Sequence, residues 1–181
     1  MNFVLFIDKA FRKLQLEYRK YVFKKKIHCN HSNFSLYGKI NLINTNVKIG
    51  HNVKLYSDIL LYGDGPIVLG DNVDIGQGTI IYASKDGGGV YIGKNTRIAA
   101  QSYIIDMDHG IAADKLICEQ PNTVAPITIG DDVWIAAGCK ILKGSNIGNG
   151  AVIGASAVVK SDIPENSIAV GIPAKVIKKR M

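Results

Sequence analysis

Residues 129–159 read IGDDVWIAAGCKILKGSNIGNGAVIGASAVV, and an aliphatic residue recurs at every sixth position of this stretch. The position four residues after each of them is mostly small or apolar. An α-helix repeats its apolar positions every 3.6 residues and an alternating strand every two, so neither explains this period. The period predicts short parallel strands separated by turns, which stack into a solenoid. The six aliphatic positions are Ile129, Ile135, Ile141, Ile147, Ile153 and Val159.

The same period continues upstream in three other phases, and each change of phase marks an insertion. A glycine-rich insertion covers residues 84–89, and a longer gap predicts an extruded loop over residues 106–126. We therefore expect a helical segment with a connector over residues 1–40. A solenoid domain with a C-terminal tail is expected over residues 41–181. The upstream repeat positions are Ile43, Ile49, Leu55 and Leu61, then Leu69, Ile75 and Ile81, then Ile92, Ile98 and Ile104.

The first 26 residues differ from the rest of the chain in charge and in period. They carry eight basic and two acidic side chains, a net +6 out of the +7 of the 181-residue chain. Apolar residues at spacings of three and four predict an amphipathic helix over about residues 3–26. We expect its apolar stripe to pack on the solenoid or on a neighbouring subunit, with an anionic membrane surface as the alternative. The stripe consists of Val4, Ile7, Phe11, Leu14, Tyr18 and Tyr21.

Composition excludes several classes of protein. Because the other 155 residues carry a net charge of only +1, we expect no nucleic-acid partner. No apolar segment reaches the length of a membrane span, and the short apolar run that precedes the charges does not fit a signal peptide. The three cysteines form no C-x-x-C pair, so we predict neither a disulfide framework nor a metal site, and a reducing compartment. Cys139 falls on a small inward repeat position and is expected in the core.

Three C-terminal motifs add a family resemblance to the repeat. They are DDVWIAAG at 131–138, IGASAVV at 153–159 and AVGIPAKVI at 169–177. With the repeats they make the chain similar to the hexapeptide-repeat acyltransferases, and in particular to the galactoside, maltose and polysaccharide O-acetyltransferase branch. The resemblance implies an all-β fold, a left-handed parallel β-helix, here preceded by the amphipathic α-helix. It also implies acetyl-CoA as the donor, no required metal, and a homotrimer with active sites between subunits.

The resemblance assigns the catalytic base to His109, which ends a coil at the start of the long loop. Histidine suits this role because its ordinary pKa lies near neutrality. Asp106 or Asp108 is expected to orient the imidazole, and a solvated turn carboxylate is the alternative for each. Thr79 stands where the galactoside branch carries an acceptor-binding asparagine, which argues against a simple galactoside or maltose acceptor. Trp134 is expected either beside the acceptor or in a packing contact.

The resemblance also places coenzyme A along the last coils. Ala137, Gly138 and Ala155 match positions whose backbone groups hold the pantetheine arm, although ordinary turn geometry also explains small residues there. Lys160 and Lys175 match positions near the adenosine and its 3′-phosphate, where a basic side chain has an electrostatic reason. In the implied mechanism, the histidine takes a proton from the acceptor hydroxyl and a backbone amide near Ala137 stabilises the oxyanion.

These observations favour an O-acetyltransferase that acts on a sugar or sugar nucleotide in surface polysaccharide or lipopolysaccharide assembly. We expect it in the cytoplasm, with peripheral contact at the inner face of the membrane through the N-terminal helix. An N-acetyltransferase for an amino or nucleotide sugar and a non-catalytic scaffold are the alternatives. The γ-class carbonic anhydrases are disfavoured because no two of the four histidines are five residues apart. Serine acetyltransferase is disfavoured by the absence of its His-Pro loop.

Overall fold

The computed structural model describes the backbone of residues 3–181 and the side chains from residue 5 onward, so the stripe residue Val4 lies outside the described side chains. One α-helix, α1 (Phe3–Lys26), precedes a series of short strands, and a 3₁₀-helix covers Ile117–Glu119. The strands are β1 (Phe34–Leu36), β2 (Ile40–Leu42), β3 (Val47–Ile49), β4 (Val53–Leu55), β5 (Ile59–Gly63), β6 (Ile67–Leu69), β7 (Asp74–Ile75), β8 (Ile80–Ala83), β9 (Val90–Ile92), β10 (Arg97–Ile98), β11 (Tyr103–Ile105), β12 (Met107–Asp108), β13 (Thr123–Val124), β14 (Ile127–Ile129), β15 (Trp134–Ile135), β16 (Lys140–Leu142), β17 (Asn146–Ile147), β18 (Val152–Ile153), β19 (Val158–Val159), β20 (Ser167–Val170) and β21 (Lys175–Lys179).

The strands form three sheets, one for each side of a triangular coil. Sheet 1 contains β1, β4, β7, β10, β15, β18, β20 and β21, sheet 2 contains β2, β5, β8, β11, β16 and β19, and sheet 3 contains β3, β6, β9, β14 and β17. The pairing is parallel throughout these sheets except between β20 and β21, which are antiparallel. The chain visits the sheets in turn through about seven coils. The predicted parallel β-solenoid with an N-terminal helix is thereby confirmed.

Aliphatic side chains stacked along the solenoid axis form the core. In sheet 1, Ile75, Ile98, Ile135 and Ile153 are in register on successive strands. Each of them is at most 2% exposed, as are the other repeat positions of residues 129–159. A single coil could not bury these side chains, so each coil depends on its neighbours for stability. The six-residue period of the sequence is therefore the stacking period of the core.

Asparagines tighten the corner between sheets 3 and 1. Asn52, Asn72 and Asn95 adopt left-handed conformations with φ of 56°, 58° and 60°, which asparagine tolerates better than most residues. Their side-chain amides also bond from one coil to the next: Asn52 Nδ2 donates to Asn72 Oδ1 at 3.0 Å. Asn72 Nδ2 donates in the same way to Asn95 Oδ1 at 3.0 Å. This corner is therefore regular along these coils.

Both insertions leave the solenoid at a different corner, the one between sheets 2 and 3. Residues 84–89 connect β8 to β9, and residues 106–126 connect β11 to β14 one coil later. Within the second insertion β12 and β13 pair as an antiparallel ladder. The two irregular segments of the solenoid therefore lie next to each other on the surface.

Helix α1 covers the predicted residues but docks through a different face. Phe23 and Ile27 are buried, and the Phe23 ring lies 5.7 Å from the ring of Phe34 on the first coil. The expectation that the predicted stripe packs on the solenoid is therefore wrong, because Phe23 and Ile27 occupy the contact instead. The described stripe side chains are 50–69% exposed, namely Ile7, Phe11, Leu14, Tyr18 and Tyr21.

The start of the repeat is shifted by one residue from the prediction. Ile43, predicted to point inward, is 70% exposed, and Leu42 takes the place in register with Leu61. Asn44 fixes this register, because its buried amide donates to the carbonyl oxygen of Gly65 at 2.8 Å. Strand β1 already belongs to the first coil, so the solenoid begins before residue 41. Among residues 3–181 no helix is both long and apolar enough to cross a bilayer.

Candidate active site

His109 follows β12 at the base of the long insertion and its side chain is exposed. The β12–β13 ladder pairs Met107 with Val124 and Asp108 with Thr123, and Thr123 Oγ1 donates to the Asp108 carbonyl at 3.5 Å. This ladder fixes the backbone that immediately precedes the histidine. The imidazole is thus presented at the surface from a held backbone, as a base that must meet a diffusing acceptor requires.

Asp108 lies beside a lysine of the next coil. Lys143 Nζ is 3.6 Å from Asp108 Oδ2, and the aspartate side chain is 54% exposed. A half-exposed pair at this distance contributes little to stability, on the order of 0–1 kcal/mol. Its effect is to orient the carboxylate next to His109 in sequence. The expectation that Asp108 orients the imidazole stays a prediction.

Asp106 serves a different purpose from the one expected. The residue is fully buried, and its carboxylate accepts hydrogen bonds from the backbone amides of Ser84, at 2.9 Å to each oxygen, and Gly89. Its own carbonyl accepts from Ala125 at 3.0 Å. Burial raises the pKa of Asp106, and the backbone donors only partly oppose that shift. These contacts correct the expectation of a direct role at His109: Asp106 ties the 84–89 loop to the base of the long insertion.

Gln120 organises the tip of the long insertion and was missed by the sequence analysis. Its Oε1 accepts from the amide of Ala112 at 2.7 Å, and its Nε2 donates to the carbonyls of Ala112 and Lys115, each at 3.0 Å. The side chain thus replaces the strand pairing that this loop lacks. The only signal in the sequence is a glutamine before Pro121 in an otherwise polar stretch, which is too common to be specific.

The turns that carry the predicted coenzyme A residues stack at the corner between sheets 1 and 2. Gly138 N donates to Ala100 O at 3.0 Å, and Ser156 N donates to Ala137 O at 2.9 Å. Within residues 3–181 the amide nitrogens of Ala137 and Ala155 donate to no protein acceptor, and both residues are exposed. Gly138 has φ of 72°, which suits glycine at this turn. The corner therefore presents unpaired backbone donors one coil apart.

The two predicted lysines are near the C-terminal end of the solenoid, and both are exposed. Lys160 follows β19, and Lys175 begins β21, the strand that folds back antiparallel on β20. Neither lysine takes part in an ion pair within the described part of the chain. Both ammonium groups are therefore available to a phosphate.

Thr79 and Trp134, the two predicted acceptor contacts, differ in position. Thr79 is fully buried, and its hydroxyl donates to the carbonyl of Ala99 at 3.3 Å, so a role in binding the acceptor is wrong. The sequence contained the signal, since Thr79 stands four residues after Ile75, at the small inward position of its repeat. Trp134 is 55% exposed on the outer face of sheet 1, in register with Arg97.

Tyrosines line part of the outer face of sheet 2, which runs between the two corners just described. Tyr62 and Tyr82 are in register on neighbouring strands with ring centroids 4.6 Å apart. The hydroxyls of Tyr62 and Tyr103 are 3.3 Å apart. Burial, together with this hydrogen bond, raises the pKa of Tyr103 to about 12. These phenols therefore stay neutral near neutral pH, and the face is aromatic but uncharged.

The other histidines lie away from this corner, near the junction of helix and solenoid. The rings of His31 and His51 stack with centroids 4.4 Å apart, and His51 Nδ1 lies 3.5 Å from Asp71 Oδ1. Over residues 3–181 no three histidine, cysteine, aspartate or glutamate side chains are placed together to hold a metal ion. Cys139 is fully buried, with its thiol donating to the Gly154 carbonyl at 3.1 Å, as expected for a core residue.

Comparison with known proteins identifies the repeat and its relatives. Residues 126–161 match the family model for the bacterial transferase hexapeptide (six repeats). The Escherichia coli protein "Putative lipopolysaccharide biosynthesis O-acetyl transferase WbbJ" is 36% identical over 126 residues, which cover 65% of this chain and 63% of WbbJ. "Putative colanic acid biosynthesis acetyltransferase WcaF", also from Escherichia coli, is 30% identical over 134 residues, covering 74% of this chain and 70% of WcaF.

A solved structure supports the fold. The chain superposes with a TM-score of 0.73 on AntD, an N-acyltransferase from Bacillus cereus in complex with dTDP and coenzyme A, at 21% identity and 82% coverage of each chain. The chain spans only 38–63% of the length of three other curated relatives that are 36–42% identical to it. The repeat match and the superposition confirm the left-handed β-helix. With the coverage of WcaF, they lead to one conclusion: the chain belongs to the hexapeptide-repeat acetyltransferase family.

Proposed function

We propose that the protein transfers an acetyl group from acetyl-CoA to a hydroxyl of a sugar or sugar nucleotide, with His109 as the general base. The observation that carries the proposal is the combination of an exposed histidine on a held backbone with unpaired amides at Ala137 and Ala155. The names of WbbJ and WcaF support surface polysaccharide assembly as the context.

Acetyl-CoA is the co-substrate that supplies an activated thioester. The His109 imidazole accepts the proton of the acceptor hydroxyl as the oxygen bonds to the acetyl carbon. The carbon–sulfur bond then breaks, and the imidazolium returns the proton to the departing thiolate, which leaves as free coenzyme A. An unpaired amide near Ala137 is suited to stabilise the negative charge that develops on the acetyl oxygen. The chain therefore needs no covalent acyl-enzyme, in keeping with the buried thiol of Cys139.

The residues of the last coils suit coenzyme A in chemistry. Its pantetheine arm carries amide carbonyls, which unpaired backbone amides at Ala137 and Ala155 can bind. Its adenosine carries a 3′-phosphate, for which the free ammonium groups of Lys160 and Lys175 are suitable partners. The small side chains at Ala137 and Gly138 let a ligand approach the backbone closely.

The two halves of this site are on different corners of one chain. Ala137 is at the corner between sheets 1 and 2, whereas His109 is at the corner between sheets 2 and 3. About six residues of chain, or roughly 20 Å at 3.3 Å per residue, separate the corners along one coil. We infer a trimer in which His109 of one subunit faces the turns of its neighbour. The half-buried apolar outer face of sheet 2, with Tyr62, Tyr82 and Tyr103, is the surface for that contact.

The first test is release of coenzyme A thiol from acetyl-CoA with a panel of sugars, amino sugars and nucleotide sugars. One acceptor should stimulate release, and His109→Ala should lower it by at least about 100-fold, the usual contribution of a general base. His51→Ala is the matched control, a partly exposed histidine outside the site. Stimulation by amino sugars alone would make the enzyme an N-acetyltransferase. Full activity of His109→Ala would refute the assigned base.

A second test separates the trimer from the base. His109→Ala and Ala137→Arg, which blocks the turn with a large side chain, should each be inactive alone. Co-expressed, they should regain activity, because some mixed trimers pair an intact histidine with an intact turn of the neighbouring subunit. No recovery in verified mixed oligomers would show that each site is built within one subunit.

A further inference from the structure

Helix α1 is held by the solenoid at its C-terminal end only. Its 24 residues are about 36 Å long at 1.5 Å per residue. Phe23 and the adjoining Ile27 are buried, and Leu16 is partly buried against the core. By contrast, every side chain from residue 5 to residue 15 is exposed. A helical half of this length without packing contacts is marginal in water, so it is suited to a partner outside the described chain.

The exposed apolar stripe faces away from the solenoid. At 100° per residue, Ile7, Leu14 and Tyr18 lie within about 40° of one another around the helix axis. Leu16, Phe23 and Ile27 lie about 180° from them on the same projection. A flat surface can therefore contact the stripe along its length without touching the first coil.

Basic side chains border this stripe. Lys9, Lys13 and Lys24 follow one side of the helix, and Arg19 and Lys26 follow the other. The segment carries most of the positive charge of the chain, while the solenoid is close to neutral. The arrangement of an apolar face bordered by lysine and arginine is that of helices that lie in the plane of an anionic bilayer surface.

We propose that helix α1 docks the protein on an anionic lipid bilayer, with its apolar stripe among the acyl chains and its basic side chains at the phosphates. Charge favours lipid over a second copy of the chain, because pairing two such helices brings two segments of +6 together. The solenoid then sits on the aqueous side of the helix. The proposal does not depend on the acyl-transfer chemistry, so either can fail without the other.

Vesicle sedimentation tests the proposal with the full chain. We expect the protein to bind vesicles of phosphatidylcholine with about one third phosphatidylglycerol, to bind pure phosphatidylcholine at least tenfold more weakly, and to lose affinity as salt shortens the range of its charges. Replacing Ile7, Phe11 and Leu14 by serine should lower the partition coefficient at least tenfold. Replacing Lys9, Lys13 and Arg19 by glutamine should lower binding to the anionic vesicles and leave binding to neutral ones unchanged.

A matched triple variant controls for helix propensity and charge. Asp8→Ser, Arg12→Ser and Gln15→Ser place three serines on the opposite side of the same turns and leave the net charge unchanged. This variant should bind within about twofold of the wild type. Circular dichroism and the melting temperature of the solenoid should agree among all variants, because the substituted side chains are exposed.

Two results would overturn the proposal. One is a wild-type protein that stays in the supernatant with anionic vesicles at low salt, or a stripe variant that binds as the wild type does. The other is a stripe variant whose oligomer mass in lipid-free buffer falls below that of the wild type, since this would assign the stripe to contact between copies of the chain.

Discussion

Replacing Asp106 by alanine should destabilise the protein and release the 84–89 loop. The carboxylate is fully buried and accepts from the amides of Ser84 and Gly89, which are themselves buried. Each buried donor left without an acceptor costs roughly 1–3 kcal/mol. Because the loop is at the surface and water can reach the vacated space, we expect about 3 kcal/mol in all. For a chain of this size that corresponds to a fall of roughly 6–12 °C in melting temperature.

Calorimetry and limited trypsin digestion measure the two effects separately. The melting temperature reports the lost hydrogen bonds, and cleavage after the exposed Lys85 reports release of the loop. Asp64→Ala is the matched control, because Asp64 is an exposed aspartate at the same corner one coil earlier. Melting within 2 °C of the wild type, a margin below the estimated effect, with unchanged cleavage after Lys85, would refute the role of Asp106 as a loop anchor.

Three further results are expected. Because burial raises the pKa of Asp106 above its unfolded value of about 3.9, its protonation contributes stability below that pH that is lost as pH rises through the folded pKa; the unfolding free energy of the wild type relative to Asp106→Asn, from urea titrations, should therefore be larger at about pH 4 than at about pH 7, and a constant difference would contradict this. Gln120→Ala should speed proteolysis after Lys115 and lower acetyl transfer without changing the melting temperature of the coils, because its bonds lie within the exposed loop tip; an unaltered cleavage rate would count against it. In the native protein, Ellman's reagent should titrate exposed Cys118 quickly and Cys139 only on unfolding, since burial raises the pKa of the Cys139 thiol; two rapid equivalents would exclude this.

The solenoid could be predicted from the sequence because one physical constraint repeats. Each coil must place an aliphatic side chain on its neighbour, so Ile135, Ile141 and Ile147 recur at the stacking period and are all buried. The same constraint also determined Thr79, whose repeat position is inward, and a resemblance at one residue was the weaker guide. Where the period begins it carries no information, and the adjacent Leu42 and Ile43 were separable only through the buried amide of Asn44.

Contacts between distant segments could not be predicted in the same way. The docked face of α1 depends on which side chains fit the first coil, and Phe23 packs there through an aromatic contact with Phe34 that no helical period contains. The stripe was correctly located along the helix but assigned to the wrong surface. Asp106 likewise looked like a partner for His109, its near neighbour in sequence, yet its hydrogen bonds go to a loop about twenty residues earlier.

The repeat itself explains why the candidate chemistry gathers on insertions and turns. Inward positions are occupied by the core, and the corner between sheets 3 and 1 is held by its asparagine ladder. Side chains with a catalytic role must therefore leave the regular coil, as His109 does, or the backbone of a turn must remain unpaired, as at Ala137. An insertion can change its acceptor contacts without disturbing the stacking, provided that its base stays anchored. Asp106 supplies that anchor from within the coil, so its loss should reach the proposed base through loop geometry while the core of the solenoid stays folded.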